Sequence, residues 1–293
     1  MQDPIQTVYD GLTADGIEQA RNHTSPPRRF RASEAGDCVR ATYHRLSGAR
    51  PKPREAGNFI YGILGDVDHD ATRQIMNHHG VKIGGVTIDA DGVATEHLLK
   101  RETFKVANPK DDGHVNVELT SRADGTLQTK YGDTLLEIKG TGFYPYQWLN
   151  KAFIEGGHDG ALARVKEKHK KWYTQCQITM ALTGYKWCYL LVKDRATGTL
   201  GQYNPETGER SGIYIEFDVE VFENLLQRFA YITRKLDEGV PPMPEYTAST
   251  NDCGWCDFRY LCHDAQARQD KGLTPTIVYP GPQFETHKVA IHE

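Results

Sequence analysis

Three ionisable residues fall where a half-buried strand has no structural need of them. The stretch "SRADGTLQTKYGDTLLEIKGT", residues 121–141, ends one β-like run on Asp124 and carries Glu137 and Lys139 inside the next. Alternate residues of a strand face the same way, so Glu137 and Lys139 project together while Leu136 and Ile138 enter the opposite face. A turn near Tyr131 and Gly132 folds the two runs into a hairpin. Asp124 then lies within about one residue of facing Glu137 or Lys139, roughly 5–8 Å between Cβ atoms. Two carboxylates and an ammonium converge. Hard oxygen ligands of this kind hold Mg²⁺, with water and a phosphate completing the octahedron. The ion lowers the pKa of a water and offsets charge on the phosphate. A neighbouring lysine orients the water or neutralises developing negative charge. The same three residues would also make a surface salt bridge across a hairpin.

Other polar residues sit in apolar settings. His69 follows Gly65 by four positions in a long helical stretch, and Gln175 and Gln177 lie in an otherwise apolar helix. Taken singly, each is also an ordinary hydrogen-bonded structural residue. The six cysteines are unevenly placed. Cys176 and Cys188 read as inert core thiols. Cys253, Cys256 and Cys262 crowd into "CGWCDFRYLC", and Cys38 stands far upstream. In a reducing compartment such clustering favours metal over disulfides. If the four share one ligand set, the lobe that holds them is built from both ends of the chain.

The elements that must position these residues follow from periodicity and breakers. Helices are expected at 5–22, 38–47 and 55–80, followed by β-like segments at 80–88, 93–107 and 114–127 and the strand "TLLEIKG". A helical stretch at 144–156 leads to a long helix over 159–183 that stops at Gly184. The segments "KWCYLLVKD" and "GIYIEFDVE" read as strands, and 219–238 as a helix before a Pro-rich connector. The organisation expected is an N-terminal helical segment (1–54), a core (55–238), a cysteine-bearing lobe (239–265) and a loosely ordered tail (266–293).

The 293 residues suffice for one large domain or a domain with a smaller lobe. No apolar run is long enough to span a bilayer. The start, "MQDPIQTVYDG", lacks the basic and apolar regions of a secretory signal, so a cytoplasmic location is expected. The net charge of −4 does not advertise a polyanionic partner. Locally, eight Arg or Lys lie between Arg28 and Arg54, and "RVKEKHKKW" (164–172) forms a second basic run. Such patches attract polyanions, or are simply solvated faces.

The order G-x3-H, D, E-x-K, a helix Gln, then C-x2-C-x5-C with one early Cys resembles the PD-(D/E)xK nuclease superfamily. More narrowly, it resembles the RecB-like exonucleases that carry an iron–sulfur cluster, including CRISPR-associated and phage members. The stretch "YTQCQITMALTG" is also similar to the matching helix of phage lambda-type exonucleases. The resemblance spans roughly residues 33–265. It implies a restriction-endonuclease-like α/β core, a mixed central sheet flanked by helices, with a cysteine-ligated metal-cluster lobe. It implies a Mg²⁺- or Mn²⁺-dependent DNA exonuclease acting on ends or single strands in recombination, repair or phage DNA processing. An endonuclease, or a DNA-binding recombination or repair subunit with a structural cluster, are the alternatives. Carried over by position, His69, Asp124, Glu137 and the carbonyl of Ile138 would hold metal. Lys139 would be the catalytic lysine, with Gln177 supporting the site and Gln175 as the other register. Ala123 replaces the superfamily's nominal proline, and Ala181 a frequent tyrosine. Cys38, Cys253, Cys256 and Cys262 would hold a [4Fe–4S] cluster, with zinc as the alternative that His263 keeps open. The implied partners are DNA, a recombination protein or a second copy of the chain, in the cytosol of a bacterium or a phage-infected host, and no membrane.

Overall fold

The computed structural model describes residues 4–21, 28–49, 51–52, 56–89, 94–96, 98–107, 113–246 and 250–263. In chain order its elements are helix α1 (Pro4–Arg21), strand β1 (Phe30–Arg31) with a 3-10 turn at Ala32–Glu34, and helices α2 (Val39–Leu46) and α3 (Ala56–His78). Strands β2 (Val86–Ile88), β3 (Ala94–Glu96), β4 (Leu99–Ala107), β5 (His114–Arg122), β6 (Gly125–Thr129) and β7 (Gly132–Thr141) follow. Then come α4 (Phe143–Lys168), α5 (Lys170–Thr183), β8 (Trp187–Asp194), β9 (Gln202–Tyr203), β10 (Arg210–Ser211) and β11 (Ile213–Glu216). Helices α6 (Val219–Glu238), α7 (Asn251–Gly254) and α8 (Arg259–His263) close the described chain. The expected tail, 266–293, lies outside the described residues.

The central sheet has the order β11-β8-β7-β6. Strands β7 and β8 are parallel, and both outer pairs are antiparallel. A parallel neighbour demands a crossover, which α4 and α5 supply. The sheet is therefore mixed and flanked by helices, as expected. Strand β7 is buried on both faces. Leu135 packs toward α4 and α5 with Leu149, Val165, Cys176 and Met180. Leu136 and Ile138 turn the other way, toward Leu191 and Met76 of α3.

Strands β4 and β5 depart from the expected single sheet. They join β1 in a separate three-stranded sheet, order β1-β5-β4. That sheet buries Val106, Val117 and Leu119 against α2, α5 and α6. The run expected at 114–127 is thus two strands, and the chain changes sheets between Arg122 and Gly125. Glycine is required at this corner. Gly125 has φ +154°, and a Cβ there would meet Ile83 Cγ2 at 2.5 Å. Gly84 and Thr126 exchange backbone hydrogen bonds of 2.9 Å across it.

The helix expected over 159–183 is also broken. His169 leaves helical geometry (φ −123°, ψ 44°), and its ring stacks on Trp172 at 4.0 Å. Within α4, Gly156 and Gly157 are non-helical, the latter at φ 61°, so the chain doubles back there. Helix α6 matches its expected bounds. The Asp218 carboxylate caps it by accepting from the Glu220 and Val221 N–H groups.

The two ends of the described chain meet. Val39 N donates to Glu245 Oε2 at 2.9 Å, and Lys52 N to Asp257 O at 2.8 Å. Arg228 of α6 joins Glu245 and the Asp37 carbonyl. Three members of the first basic run are spent on ion pairs. Arg29 pairs with Glu118 at 2.6 Å, Arg45 with Glu34 at 2.7 Å, and Arg28 with Asp237.

Gln177, fully buried on α5, joins that helix to the β11–α6 junction. Its Oε1 accepts from Asp218 N at 2.8 Å, and its Nε2 donates to Glu216 O at 3.0 Å. Truncation leaves both backbone groups without their partner in a dry site. Gln177→Ala should therefore cost about 1–3 kcal/mol of stability, read as a lowered urea midpoint at unchanged slope. An unchanged midpoint would refute the clamp.

Candidate active site

The corner between the two sheets places Asp124, and the register does the rest. Gly125 pairs with Leu136, so one step outward brings Asp124 level with Glu137. Asp124 is 7% exposed and Glu137 2%. The arrangement is therefore not a surface salt bridge across a hairpin. Asp124 Oδ2 accepts from Ile138 N at 2.6 Å. Its Oδ1 lies 3.2 Å from His69 Nδ1 and accepts from Arg73 Nη2 at 3.0 Å. Glu137 Oε1 faces Lys139 Nζ and Gln175 Nε2, both at 2.6 Å. Lys139 Nζ also donates to Gln175 Oε1 at 3.0 Å. Strand, corner, α3 and α5 thus deliver one side chain each, or two, to a single point.

Helix α3 contributes through one face. Gly65, His69 and Arg73 are spaced by four, which stacks them along one stripe. Arg73 is buried and was not singled out in the sequence. Its Nε donates to the Asp124 carbonyl at 3.0 Å, its Nη1 to Asp70 at 3.0 Å, and its Nη2 also meets Glu96. The recurring spacing Gly65, His69, Arg73 was the available signal.

Burial dominates the electrostatics. It pushes the Glu137 carboxyl up, and the Asp124 charge adds to it, so Glu137 reaches about 7 despite Lys139. For Asp124 burial also acts upward. The hydrogen bond and charge of His69, with the Ile138 N–H, outweigh it and hold the carboxyl below its ordinary value. Burial would lower His69, but the bond to Asp124 raises it. Burial would likewise lower Lys139, and the Glu137 charge raises it. The pocket holds one firmly ionised carboxylate, one poised near neutrality, and an ammonium.

The structure corrects one expected site residue. Gln177 does not reach Glu137 or Lys139, because its amide is committed to Glu216 and Asp218. Gln175, the other register, stands there instead. Half a helical turn separates the two, so they face different ways. Ile138 meets Asp124 through its N–H. Among the described residues no three His, Cys, Asp or Glu side chains stand together as a metal-ligand set. The donor chemistry of Asp124 and Glu137 nonetheless suits a hard divalent ion, whose charge would reverse the rise at Glu137.

Cys256 and Cys262 lie within electrostatic reach of Cys38 and Cys253. None is in a disulfide. Burial raises the Cys256 thiol, and Cys38 and Cys253 add to it. Burial pushes Cys262 up to about 12 against the pull of Arg40, with Cys256, Cys38 and Cys253 contributing. Among the described residues, no three of these thiols stand together as a metal-ligand set. Arg40 Nε is buried near Cys262 without a hydrogen-bond partner. Soft thiols beside a buried cation suit a thiolate-ligated, net anionic group.

No family model matches this chain, and no curated protein sequence matches it. Among solved structures it is similar to the crystal structure of SSO0001, at 12% identity and a TM-score of 0.45, over 90% of this chain and 98% of that one. It is similar to LHK-Exo in complex with dAMP at 16% identity and a TM-score of 0.40, over 78% of this chain and 93% of that one. A further likeness, to the alkaline exonuclease LHK-Exo from Laribacter hongkongensis, has a TM-score of 0.39 at 16% identity, over 78% of this chain and 93% of that one. Likeness at this level carries no functional argument.

The Glu137 value has a consequence for stability. With a folded pKa of about 7 against an ordinary 4.5, the folded state holds the proton that the unfolded state releases. Stability of the metal-free protein should fall as pH rises from about 4.5 to about 7 on this account and level off above it. Glu137→Gln removes that contribution. Urea unfolding in chelator should show the variant gaining on wild type across that window; a difference independent of pH would refute the raised carboxyl.

Proposed function

We propose that the protein is a divalent-metal-dependent nuclease that hydrolyses phosphodiester bonds of DNA, acting as an exonuclease on ends or single strands. One observation carries this reading: two carboxylates, Asp124 and Glu137, are buried side by side with the Lys139 ammonium. Burying like charges is expensive, and a Mg²⁺ or Mn²⁺ ion would relieve it. Asp124, Glu137, His69 and the Ile138 carbonyl are the groups that would hold the ion. When bound, it would lower the pKa of a water and offset phosphate charge.

The chain's own groups do the rest. Water oxygen bonds to phosphorus and releases a proton to solvent, the bond from phosphorus to the leaving oxygen breaks, and that oxygen takes up a proton from solvent, so protons balance. Lys139, kept protonated by Glu137, offers its ammonium to the attacking water or to the negative charge that develops. Gln175 bridges Lys139 and Glu137 and fixes the distance between them, a positioning role. His69 and Arg73 hold Asp124 ionised and immobile.

We further propose that Cys38, Cys253, Cys256 and Cys262 hold a [4Fe–4S] cluster rather than zinc. Paired short knuckles, typical of structural zinc, are absent from this spacing, and the buried Arg40 would offset the cluster's negative charge. Its role would be to tie the two ends of the chain, closing a long loop.

Glu137→Gln should abolish cleavage of end-labelled linear DNA in Mg²⁺ or Mn²⁺ while DNA binding persists. Lys139→Ala should slow the chemical step by roughly two to three orders of magnitude, as loss of an electrostatic stabiliser does. Normal rates in the glutamine variant would defeat the nuclease reading. Rapid nicking of circular single strands would replace exonuclease by endonuclease.

For the cysteines, protein purified without oxygen should be brown and contain iron and sulfide. Cys38→Ser and Cys262→Ser should both be pale and melt lower. One zinc per chain in a colourless protein would overturn the iron–sulfur assignment. A normal Cys38→Ser beside a metal-free Cys262→Ser would overturn the shared ligand set.

A further inference from the structure

The second basic run and a row of exposed aromatics are not used by the site described above. Phe143, Tyr144 and Trp148 are 44%, 69% and 55% exposed at the start of α4. Tyr144 and Trp148, one turn apart, have ring centroids 6.4 Å from each other, and Phe143 lies 5.5 Å from Tyr144. Large apolar rings left in water on one helix face call for a partner.

The reversal at Gly156 and Gly157 brings the basic run alongside. Gly160 approaches Ala152 so closely that a Cβ would strike its carbonyl. Arg164 lies over the Trp148 ring at 6.0 Å from the centroid. The same antiparallel register carries the exposed Lys168 toward Tyr144, and Lys151 is 70% exposed on the aromatic segment. Glu155 and Glu167 pair with members of this set, which leaves Lys151, Arg164 and Lys168 with one net positive charge (three cations less two carboxylates).

Short stretches of chain join both ends of α4 to elements of the site. Phe143 lies four residues beyond Lys139, at most about 14 Å of extended chain. Lys168 lies seven residues before Gln175 across the break at His169, at most about 25 Å of chain.

We propose that Phe143, Tyr144 and Trp148, flanked by Lys151, Arg164 and Lys168, form a stacking surface for unpaired bases that delivers single-stranded DNA to the Asp124–Glu137–Lys139 site. The inference rests on the nuclease reading for its substrate. Aromatic rings stack any base, and flanking cations follow the phosphates. Paired bases offer no free face, so the surface discriminates single strands from duplex.

The test is fluorescence anisotropy with labelled oligo(dT) and a blunt hairpin duplex, in chelator so that nothing is cut. Tyr144→Ala/Trp148→Ala should weaken oligo(dT) binding roughly tenfold or more and duplex binding less than twofold. Trp148→Phe, which keeps a ring, should retain most of the affinity and controls for folding. Unchanged oligo(dT) affinity in the double variant would overturn the surface. So would an equal loss on duplex, which would make the patch merely electrostatic. Hydrolysis of bis(p-nitrophenyl) phosphate by wild type with Mn²⁺, a phosphodiester with no base to stack, reads the nuclease proposal separately. Its failure with ring-dependent oligo(dT) binding intact would sink that proposal and leave this one standing.

Discussion

Two carboxylates in one dry pocket set the terms for everything around them. Asp124 and Glu137 lie level on neighbouring strands, each almost fully buried. Left alone, such a pair would stay protonated or force the pocket open. Arg73, His69 and the Ile138 N–H hold Asp124, while Lys139 and Gln175 hold Glu137. The counter-groups arrive on three elements: His69 and Arg73 on α3, the Ile138 N–H and Lys139 on β7, and Gln175 on α5. Helix α3 must therefore cross one face of the sheet and α5 the other, and the chain must turn its corner at Gly125. The fold is legible as the scaffold that meets these demands.

The next layer out repeats the pattern. Asp68, one residue before His69, is closed in by Lys193 and Arg195 from the end of β8. Gly140 leaves the room they need, since a Cβ there would collide with both Asp68 and Arg195. This brace fixes the turn of α3 that carries His69. On the far side of α5, the Gln177 clamp sets the helix's rotation, and with it the residue that faces Glu137. Behind the site the buried Cys176 thiol bonds with Cys188 and, with burial, holds it well above its ordinary value. Both thiols are buried in the core.

Charge is used in two ways. Three members of the N-terminal basic run, Arg28, Arg29 and Arg45, pair with carboxylates of α6, β5 and the 3-10 turn, a cohesive role. In α4 Lys166 and Lys168 stay at the surface, and Arg164 lies over the exposed Trp148 ring. Similar composition serves opposite ends because burial differs, and burial is a property of the packed chain.

Local pattern by itself determined a good deal. Alternation in "TLLEIKG" placed Glu137 and Lys139 on one face and Leu136 and Ile138 on the other, because side-chain direction along a strand is a local matter. Cap and breaker residues set α6 within its bounds and stopped α5 at Gly184, since capping also depends on near neighbours. The spacing of Asp124 from the turn brought it opposite Glu137. What escaped was long-range. No local signal says that 114–127 divides between two sheets, because the division follows from Ile83 and Gly84 crowding Gly125. Nothing local chooses Gln175 over Gln177, since helix rotation is fixed by contacts with Glu216 and Asp218. Arg73 reads as an ordinary helix arginine until α3 is laid against Asp124. Sequence records which groups are available; only tertiary packing, by removing water and setting distances, decides which of them share a pocket.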